Sequence, residues 1–239
     1  QGNISSNATV GEPLGVLKGT GFQYLDGRRV VDANGYYVSE ADQIVADPNP
    51  DYLLGFNNNL TYKGVTLGFL IDVSQGGQVY SLDMHYGQGT GVLEHTAALN
   101  DLGNPVRDPV TTGSDSGGIL NEGVQADGSE NTVRARADFF GGAYYWGNSS
   151  RNPASLTVYD ASFVKLREMR LTYSLPSSWV GSWSQGVDIS VVGRNLWIIS
   201  KNVPYADPES GLGGQFSQGY LSGSYPTVRQ FGFQLDVRF

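Results

Sequence analysis

The side chains whose type and spacing could support chemistry are mainly carboxylates. Asp108 with Asp115, and Asp207 with Glu209, have the pairing that a glycosidase needs for its acid and its base or nucleophile. The chain has 23 acidic residues, so pairs of this kind arise by chance, and solvated loop charge is the better interpretation. The sequence contains no Gly-x-Ser-x-Gly motif. We therefore predict no catalytic residues and no enzyme activity.

Few side chains could bind a metal ion. The chain has two histidines and no cysteine, and His85 and His95 lie in an expected loop, so a histidine or thiolate site is not favoured. Residues 32–35 (Asp-Ala-Asn-Gly) resemble the start of a calcium loop, but Gln43 stands where a bidentate Glu would be needed. An Asn-Gly turn is the favoured interpretation, with calcium binding as the alternative. We expect neither a metal nor a cofactor.

An aromatic cluster could contact a ligand. Tyr144, Tyr145 and Trp146 are consecutive, and stacked aromatic rings suit sugar rings or peptide side chains. Packing within the loop is the favoured interpretation, and contact with a substrate or a partner protein remains open.

Composition narrows the class of protein that could carry these residues. The net charge is −8 at pH 7 and only 16% of residues are charged, which disfavours nucleic-acid binding because that needs clustered basic side chains. The 33 glycines and 14 tyrosines are typical of a chain rich in turns and strands. No apolar run approaches the roughly 18 residues that a membrane-spanning helix requires. An all-β chain is predicted.

Alternation of apolar and polar residues predicts long strands. Residues 54–62, 65–74 and 231–239 each place apolar or aromatic side chains on one face and mainly small or polar ones on the other. The first two strands are separated only by Lys63-Gly64, which predicts a tight hairpin.

Further strands are predicted at residues 162–175, 187–199 and, more weakly, 14–22. In the first of these, Lys165 and Arg167 occupy positions that the alternation assigns to the apolar face. This predicts a β-bulge there, or that this end of the strand is exposed to water. The total is about six strands, several of them about 10 residues long, the length of a transmembrane β-strand.

Connections of unequal length favour a barrel. Short connections follow residues 62 and 175, whereas long polar ones cover residues 74–160 and 200–224, at the opposite end of the strands. This asymmetry is typical of outer-membrane barrels, and the Gly, Asn, Gln and Ser of the polar faces suit a lumen wall. A soluble secreted carbohydrate-binding β-sandwich remains the alternative, because its strands alternate too.

Several stretches resemble a known family. They are VGEPLGVLKGTGF (10–22), DPNPDYLLGFNNNLTYKGVTLGFLIDVSQGGQVY (47–80), DASFVKLREMRLTYSLP (160–176), VDISVVGRNLWIISK (187–201), YADPE (205–209) and SYPTVRQFGFQLDVRF (224–239). In this order they resemble the C-terminal β-barrel portion of SusC/RagA-like TonB-dependent outer-membrane transporters. Residues 81–157 contribute nothing to the resemblance.

The resemblance implies a fold and a function. Such proteins enclose a plug domain in a barrel of about 22 strands in the outer membrane of Bacteroidota. They import oligosaccharides or oligopeptides with energy from TonB, beneath a SusD-like surface lipoprotein that acts as a lid. We therefore expect residues 1–239 to be a C-terminal segment of such a barrel, with a long extracellular loop at about 77–157 and with the plug and the upstream strands outside this chain.

The resemblance also gives roles to single residues. Tyr205 lies in a loop that could face the lid, and Tyr144, Tyr145 and Trp146 could contact lid or substrate. Phe239, an aromatic residue at the end of an alternating strand, is expected from that position to serve as a barrel-assembly signal, and the alternative is that it is simply one more residue of the apolar face. Trp197 near a strand end is expected to belong to an aromatic girdle at the membrane interface. The expected partners are the remainder of the barrel, outer-membrane lipid, the lipoprotein, TonB and a glycan or peptide substrate.

Overall fold

The computed structural model describes residues 4–138, 142–144, 152–211, 218–223 and 225–239. The chain forms two compact units. Unit 1 comprises Gln1–Asn49, Gln78–Tyr159 and Gly211–Ser224, and unit 2 comprises Pro50–Gly77, Asp160–Ser210 and Tyr225–Phe239.

No helix within the described ranges has both the length and the apolar character needed to cross a membrane.

Strands dominate the described residues, as predicted. In chain order they are β1 (Ser5–Asn7), β2 (Val16–Phe22), β3 (Tyr24–Leu25), β4 (Arg28–Arg29), β5 (Ser39–Ala46), β6 (Tyr52–Tyr62), β7 (Val65–Gln75), β8 (Gln78–Ser81), β9 (Ile119–Leu120), β10 (Arg134–Ala135), β11 (Val158–Asp160), β12 (Phe163–Ser174), β13 (Gly186–Lys201), β14 (Tyr220–Leu221) and β15 (Gln230–Arg238). The helices are α1 (Leu82–Thr90) and α2 (Ser177–Val180), with 3-10 turns at Glu94–Ala97, Ala154–Thr157, Gly181–Trp183 and Pro208–Gly211.

Unit 2 is built on one antiparallel sheet of five strands in the order β15-β13-β12-β7-β6. β6 and β7 are joined through Lys63 and Gly64, whose φ angles of +46° and +81° lie in the left-handed region. Two such residues in sequence make the type I′ turn whose twist matches a hairpin. The predicted hairpin is confirmed, with Tyr62 opposite Val65 and Tyr52 opposite Gln75.

A β-bulge interrupts β12. Leu166 pairs with Ile71 of β7 and Glu168 pairs with Leu70, so Arg167 is the extra residue. One inserted residue shifts the period of two, and Lys165 therefore shares a face with Glu168 instead of with Met169. The predicted bulge is confirmed, and it places Lys165 on the polar side of the sheet, opposite Asp72.

The strand at β2 was also predicted, and it belongs to unit 1. It pairs with β1 and β5 in a three-stranded sheet, and Val16, Leu17 and Phe22 are buried. The five strands of unit 2 therefore make up the continuous sheet, while this sixth predicted strand contributes to a separate core.

Unit 1 folds around small apolar clusters. One cluster contains Ile4, Leu17, Ala46, Tyr80, Leu82 and Ala154. Helix α1 of this unit is capped at its start by Ser81, whose hydroxyl accepts a hydrogen bond from the Met84 N–H at 3.1 Å. The helix is followed by Gly91, a C-cap residue in the left-handed conformation. Residues 77–157, predicted as a long loop, carry β8, α1, β9 and β10 of this unit.

The turn at residues 32–35 is confirmed. Asp32 Oδ1 accepts hydrogen bonds from the N–H groups of Asn34 at 2.8 Å and Tyr36 at 2.9 Å, which is how an aspartate stabilises a turn. Gly35 has a φ of +80°, and a Cβ there would lie 2.6 Å from the Val133 carbonyl oxygen. The carboxylate thus supports the local backbone.

Candidate functional site

The polar face of the five-stranded sheet is the first candidate site. In the hairpin of β6 and β7, the hydroxyl oxygens of Thr61 and Thr66 are 2.9 Å apart. On the same face of the sheet, the hydroxyl oxygens of Thr172 and Ser190 are 2.8 Å apart. In the register of the sheet, Thr66 lies opposite Thr172. The face therefore carries a row of hydroxyl groups across four strands, suited to water and polar solutes.

A groove of about 310 Å³ lies on this face. Asn57, Asn59, Glu168 and Arg170 supply its polar groups, and Gly68 contributes no side chain. Amide, carboxylate and guanidinium groups in one groove can donate and accept hydrogen bonds to a polar ligand. Sequence reasoning predicted a polar lumen wall but did not single out these residues.

The opposite face of the same sheet is apolar and exposed. Phe233 is 72% exposed, and it lies in one register row with Val191, Leu171, Leu67 and Leu60. Exposed apolar rows of this extent are unusual for a protein surface in water. They suit a sheet whose outer face meets hydrocarbon.

A cluster of charged side chains is the second candidate site, and it overturns one expectation. Asp207 and Glu209 were interpreted as solvated loop charge. Instead, Asp207 is 4% exposed and forms an ion pair with Lys165, itself 3% exposed, whose Nζ also lies 2.5 Å from Glu209 Oε2. The interpretation was wrong because β12 turns two basic side chains toward these carboxylates.

Arg167 completes the cluster. Its Nη2 lies 2.5 Å from Glu209 Oε1 and 2.7 Å from Asp72 Oδ2. Burial alone would raise the pKa of Asp207 and of Glu209. The hydrogen bonds from Lys165 to both carboxylates, together with those from Thr227 to Asp207 and from Arg167 to Glu209, outweigh burial and hold both pKa values below their usual range.

Tyr205 stands two residues before this cluster. It has a φ of +58°, in the left-handed region, and is 68% exposed. The backbone around it is held at Ala206, whose carbonyl accepts a hydrogen bond from Lys201 Nζ at 2.7 Å. An exposed aromatic ring on a well-held backbone is a suitable contact for another protein.

Tyr144 lies elsewhere, in unit 1. Its hydroxyl donates to the His95 carbonyl at 3.2 Å, the two rings pack edge to face, and burial raises the pKa of Tyr144. Tyr144 also lines a pocket of about 200 Å³ together with Arg107 and Thr96. Tyr145 and Trp146 lie outside the described residues. Packing accounts for the contacts of Tyr144, and its predicted role in substrate or lid contact stays a prediction.

The histidines do not form a joint site. His85, predicted to lie in a loop, is buried in α1, with its Nδ1 2.8 Å from the Tyr80 hydroxyl. That prediction of a loop was wrong, because Ser81 and Gly91 delimit a helix there. Burial lowers the pKa of His85 to about 3. The described residues contain no group of three or more His, Cys, Asp or Glu side chains placed to hold a metal ion.

Aromatic side chains lie near both ends of the sheet. Trp197 is exposed on β13 toward its long-connection end, and Phe239 is exposed at the opposite end. The ring of Phe239 lies 6.4 Å from that of Trp183, centroid to centroid. Arg238 pairs with Asp188 of the neighbouring strand β13 at 3.2 Å, whereas Asp236 accepts hydrogen bonds from Gln234 on its own strand.

Comparison with known proteins agrees with this architecture. TonB-dependent receptor P3 of Formosa agariphila is 28% identical over 216 residues, covering 87% of this chain and 18% of the receptor. TonB-dependent receptor P26 of the same organism is 29% identical over 227 residues, covering 91% and 20%. The predicted resemblance to SusC/RagA-like TonB-dependent transporters is confirmed. The chain spans about one fifth of the length of these curated relatives.

Solved structures show the same fold. The RagAB peptide importer in its closed-closed state matches 98% of this chain and 25% of its own, with a TM-score of 0.53 and 18% identity. In its open-open state it matches 93% and 20%, with a TM-score of 0.51 and 16% identity. The predicted fold class, all-β and part of a large barrel, is confirmed. No family model matches the chain.

The charged cluster is what sequence reasoning missed. The one signal in the sequence was that Lys165 and Arg167 occupy positions that alternation assigns to the apolar face, and it correctly predicted the bulge. Asp207 and Glu209 were considered only as a pair with each other, and the YADPE stretch that contains them as part of the resemblance. Nothing local joins the two stretches, because Lys165 and Asp207 are 42 residues apart.

Proposed function

We propose that this chain forms part of the wall of an outer-membrane importer that takes up oligosaccharides or oligopeptides. Energy would come through TonB, and a SusD-like surface lipoprotein would close over the transporter as a lid. Such a transporter does no covalent chemistry, and the chain supplies a scaffold and a lumen surface.

The observation that carries this proposal is the division of one sheet into two faces. The rows that contain Leu171 and Phe233 are apolar and exposed, whereas the rows that contain Thr172 and Ser190 are polar. A wall between hydrocarbon and a polar lumen requires this division. A secreted β-sandwich would bury the apolar face against a second sheet, and the exposure of Phe233 argues against it.

The similarity to TonB-dependent receptors supports the location in the outer membrane. The RagAB structures are those of a peptide importer, which makes oligopeptides a substrate class to test alongside oligosaccharides. The polar groups of the groove around Asn57, Asn59 and Arg170 suit either class.

The direct test is an in-frame deletion of the complete transporter in its own bacterium, complemented by the wild-type gene. We expect loss of uptake of labelled oligosaccharides or of labelled oligopeptides, restored by the wild type only when TonB is present. Recovery of the protein as a monomer in the aqueous phase without detergent would contradict the proposal. Copurification with a surface lipoprotein would support the proposed lid.

The predicted assembly role of Phe239 has its own test. The variant Phe239→Ala should lower the amount of transporter in the outer membrane, while Trp183→Ala, which removes the neighbouring ring, should leave that amount nearly unchanged. Equal amounts of wild type and Phe239→Ala would contradict the assembly role.

A further inference from the structure

The segment that joins β13 to β15, residues 202–229, is held by side chains at both of its ends. Near its start, Asp207 accepts from Lys165, and Glu209 accepts from Lys165 and Arg167. Near its end, the Thr227 hydroxyl donates to Asp207 Oδ2 at 2.5 Å. A single carboxylate, Asp207, therefore links the outgoing chain, the returning chain and β12.

The backbone at Asp207 is fixed in the same way. Asp207 Oδ1 also accepts from the Glu209 N–H at 3.1 Å, at the start of the 3-10 turn Pro208–Gly211. Val203 and Pro208, on either side of Tyr205, are buried. Tyr205 is thus an exposed ring between buried neighbours.

Charge makes this arrangement cooperative. Asp72, Asp207 and Glu209 supply three negative charges, and Lys165 and Arg167 supply two positive ones. Lys165 and Asp207 are almost fully buried, and removing one partner of a buried pair leaves the other charge uncompensated. The set is therefore expected to hold together or to open as a whole.

We infer that Lys165, Arg167, Asp207, Glu209 and Thr227 form an ionic clasp whose role is to present Tyr205 in a fixed position to the lid lipoprotein. This inference rests on the proposed function. Lys165 and Arg167 are positioning residues that act through Tyr205. The ring that meets the partner is two residues away from Asp207, which Lys165 holds, and four residues away from Glu209, which both basic side chains hold.

The test uses the complete transporter and its lipoprotein, with two variants that break the clasp at its more exposed members. Arg167→Met removes the pairs with Glu209 and Asp72, and Glu209→Gln changes the connecting segment alone. The matched control is Arg194→Met, which removes an ion pair with Glu168 at 3.0 Å on the same face of the sheet.

Two readouts separate positioning from folding. A nitroxide at Tyr205→Cys reports the mobility of the residues around position 205. These 239 residues have no other cysteine, and any cysteine elsewhere in the complete transporter is replaced by serine. The dissociation constant of the complex between transporter and lipoprotein, measured with Tyr205 intact, reports whether Tyr205 is held in the position that the lipoprotein binds. Both clasp variants should increase the nitroxide mobility and raise the dissociation constant at least about tenfold, and Arg194→Met should change neither.

A double-variant cycle shows whether the effect passes through Tyr205. Adding Glu209→Gln to Tyr205→Ala should weaken lipoprotein binding no further than Tyr205→Ala does by itself. If the two substitutions weaken lipoprotein binding additively, the clasp does not act through Tyr205. The same conclusion follows if the clasp variants increase the nitroxide mobility without changing the dissociation constant of the lipoprotein. Unchanged nitroxide mobility would overturn the clasp itself. A wild-type transporter that neither binds the lipoprotein nor imports substrate would refute the proposed function instead.

Discussion

The imidazole of His85 connects the stability of unit 1 to pH. Burial lowers its pKa from 6.5 to about 3, so between these values the unfolded chain binds a proton that the folded chain does not. The free energy of unfolding therefore falls as pH decreases below 6.5, by about 1.4 kcal/mol per pH unit. His95 acts in the same direction, because burial lowers its pKa too.

The prediction at the residue scale is acid sensitivity that depends on His85. From pH 7.5 to pH 5 the opening free energy of the amides in α1 should fall by about 2 kcal/mol in the wild type. Native-state hydrogen exchange, corrected for intrinsic rates, measures this fall. His85→Gln should remove most of it and leave the contribution of His95. The same slope in wild type and variant would show that another group titrates.

The turn between β6 and β7 gives a prediction at the element scale. Gly64 has a φ of +81°, and a Cβ there would lie 3.2 Å from the Ser174 carbonyl oxygen. Gly64→Ala should destabilise the transporter by about 1–2 kcal/mol, because a left-handed conformation is strained for any side chain. Gly232→Ala is the matched control, since a Cβ there meets no atom within 4 Å. Urea unfolding in detergent compares the two, and equal losses would contradict this role of the turn.

The two faces of β12 give a second prediction at this scale. Leu171 lies on the exposed apolar face and Thr172 on the polar one. Leu171→Arg should destabilise the membrane-inserted transporter by about 1–3 kcal/mol, because a charge on the lipid face costs about 2–4 kcal/mol at the middle of the bilayer and less toward the interfaces, and Leu171 lies three residues before the end of β12. Thr172→Arg places the same side chain in the lumen and should cost much less. Unfolding in lipid vesicles tests this, and a larger loss for Thr172→Arg would assign the faces the other way round.

The elements that sequence reasoning predicted are those with a local signal. Leu67, Phe69 and Ile71 alternate with small or polar residues along β7, and a period of two needs no knowledge of distant residues. Two basic residues, Lys165 and Arg167, at positions that alternation assigns to the apolar face likewise predicted the bulge of β12. These signals are independent of where the rest of the chain lies.

At the scale of the whole molecule, the parts that were not predicted depend on distant contacts. The sheet of unit 1 that pairs β8 with β14 joins Tyr80 to Tyr220, and the clasp joins Lys165 to Asp207. No short-range pattern encodes such pairs, so β8 and its partner strand were not predicted. The placement of residues 77–157 in an extracellular loop stays a prediction. The resemblance to TonB-dependent transporters predicted the barrel, but it predicted neither the pairing of β8 with β14 nor the contact of Lys165 with Asp207.

The central claim is that one sheet separates lipid from a polar lumen. These 239 residues contain no cysteine. Once any cysteine elsewhere in the complete transporter is replaced by serine, Leu171→Cys and Thr172→Cys can each carry one environment-sensitive fluorophore in the protein reconstituted in vesicles. Brominated lipid should quench the fluorophore at residue 171 and iodide in water should hardly reach it, whereas iodide should quench more than lipid at residue 172. Equal quenching of both positions by iodide, with none by brominated lipid, would contradict the claim.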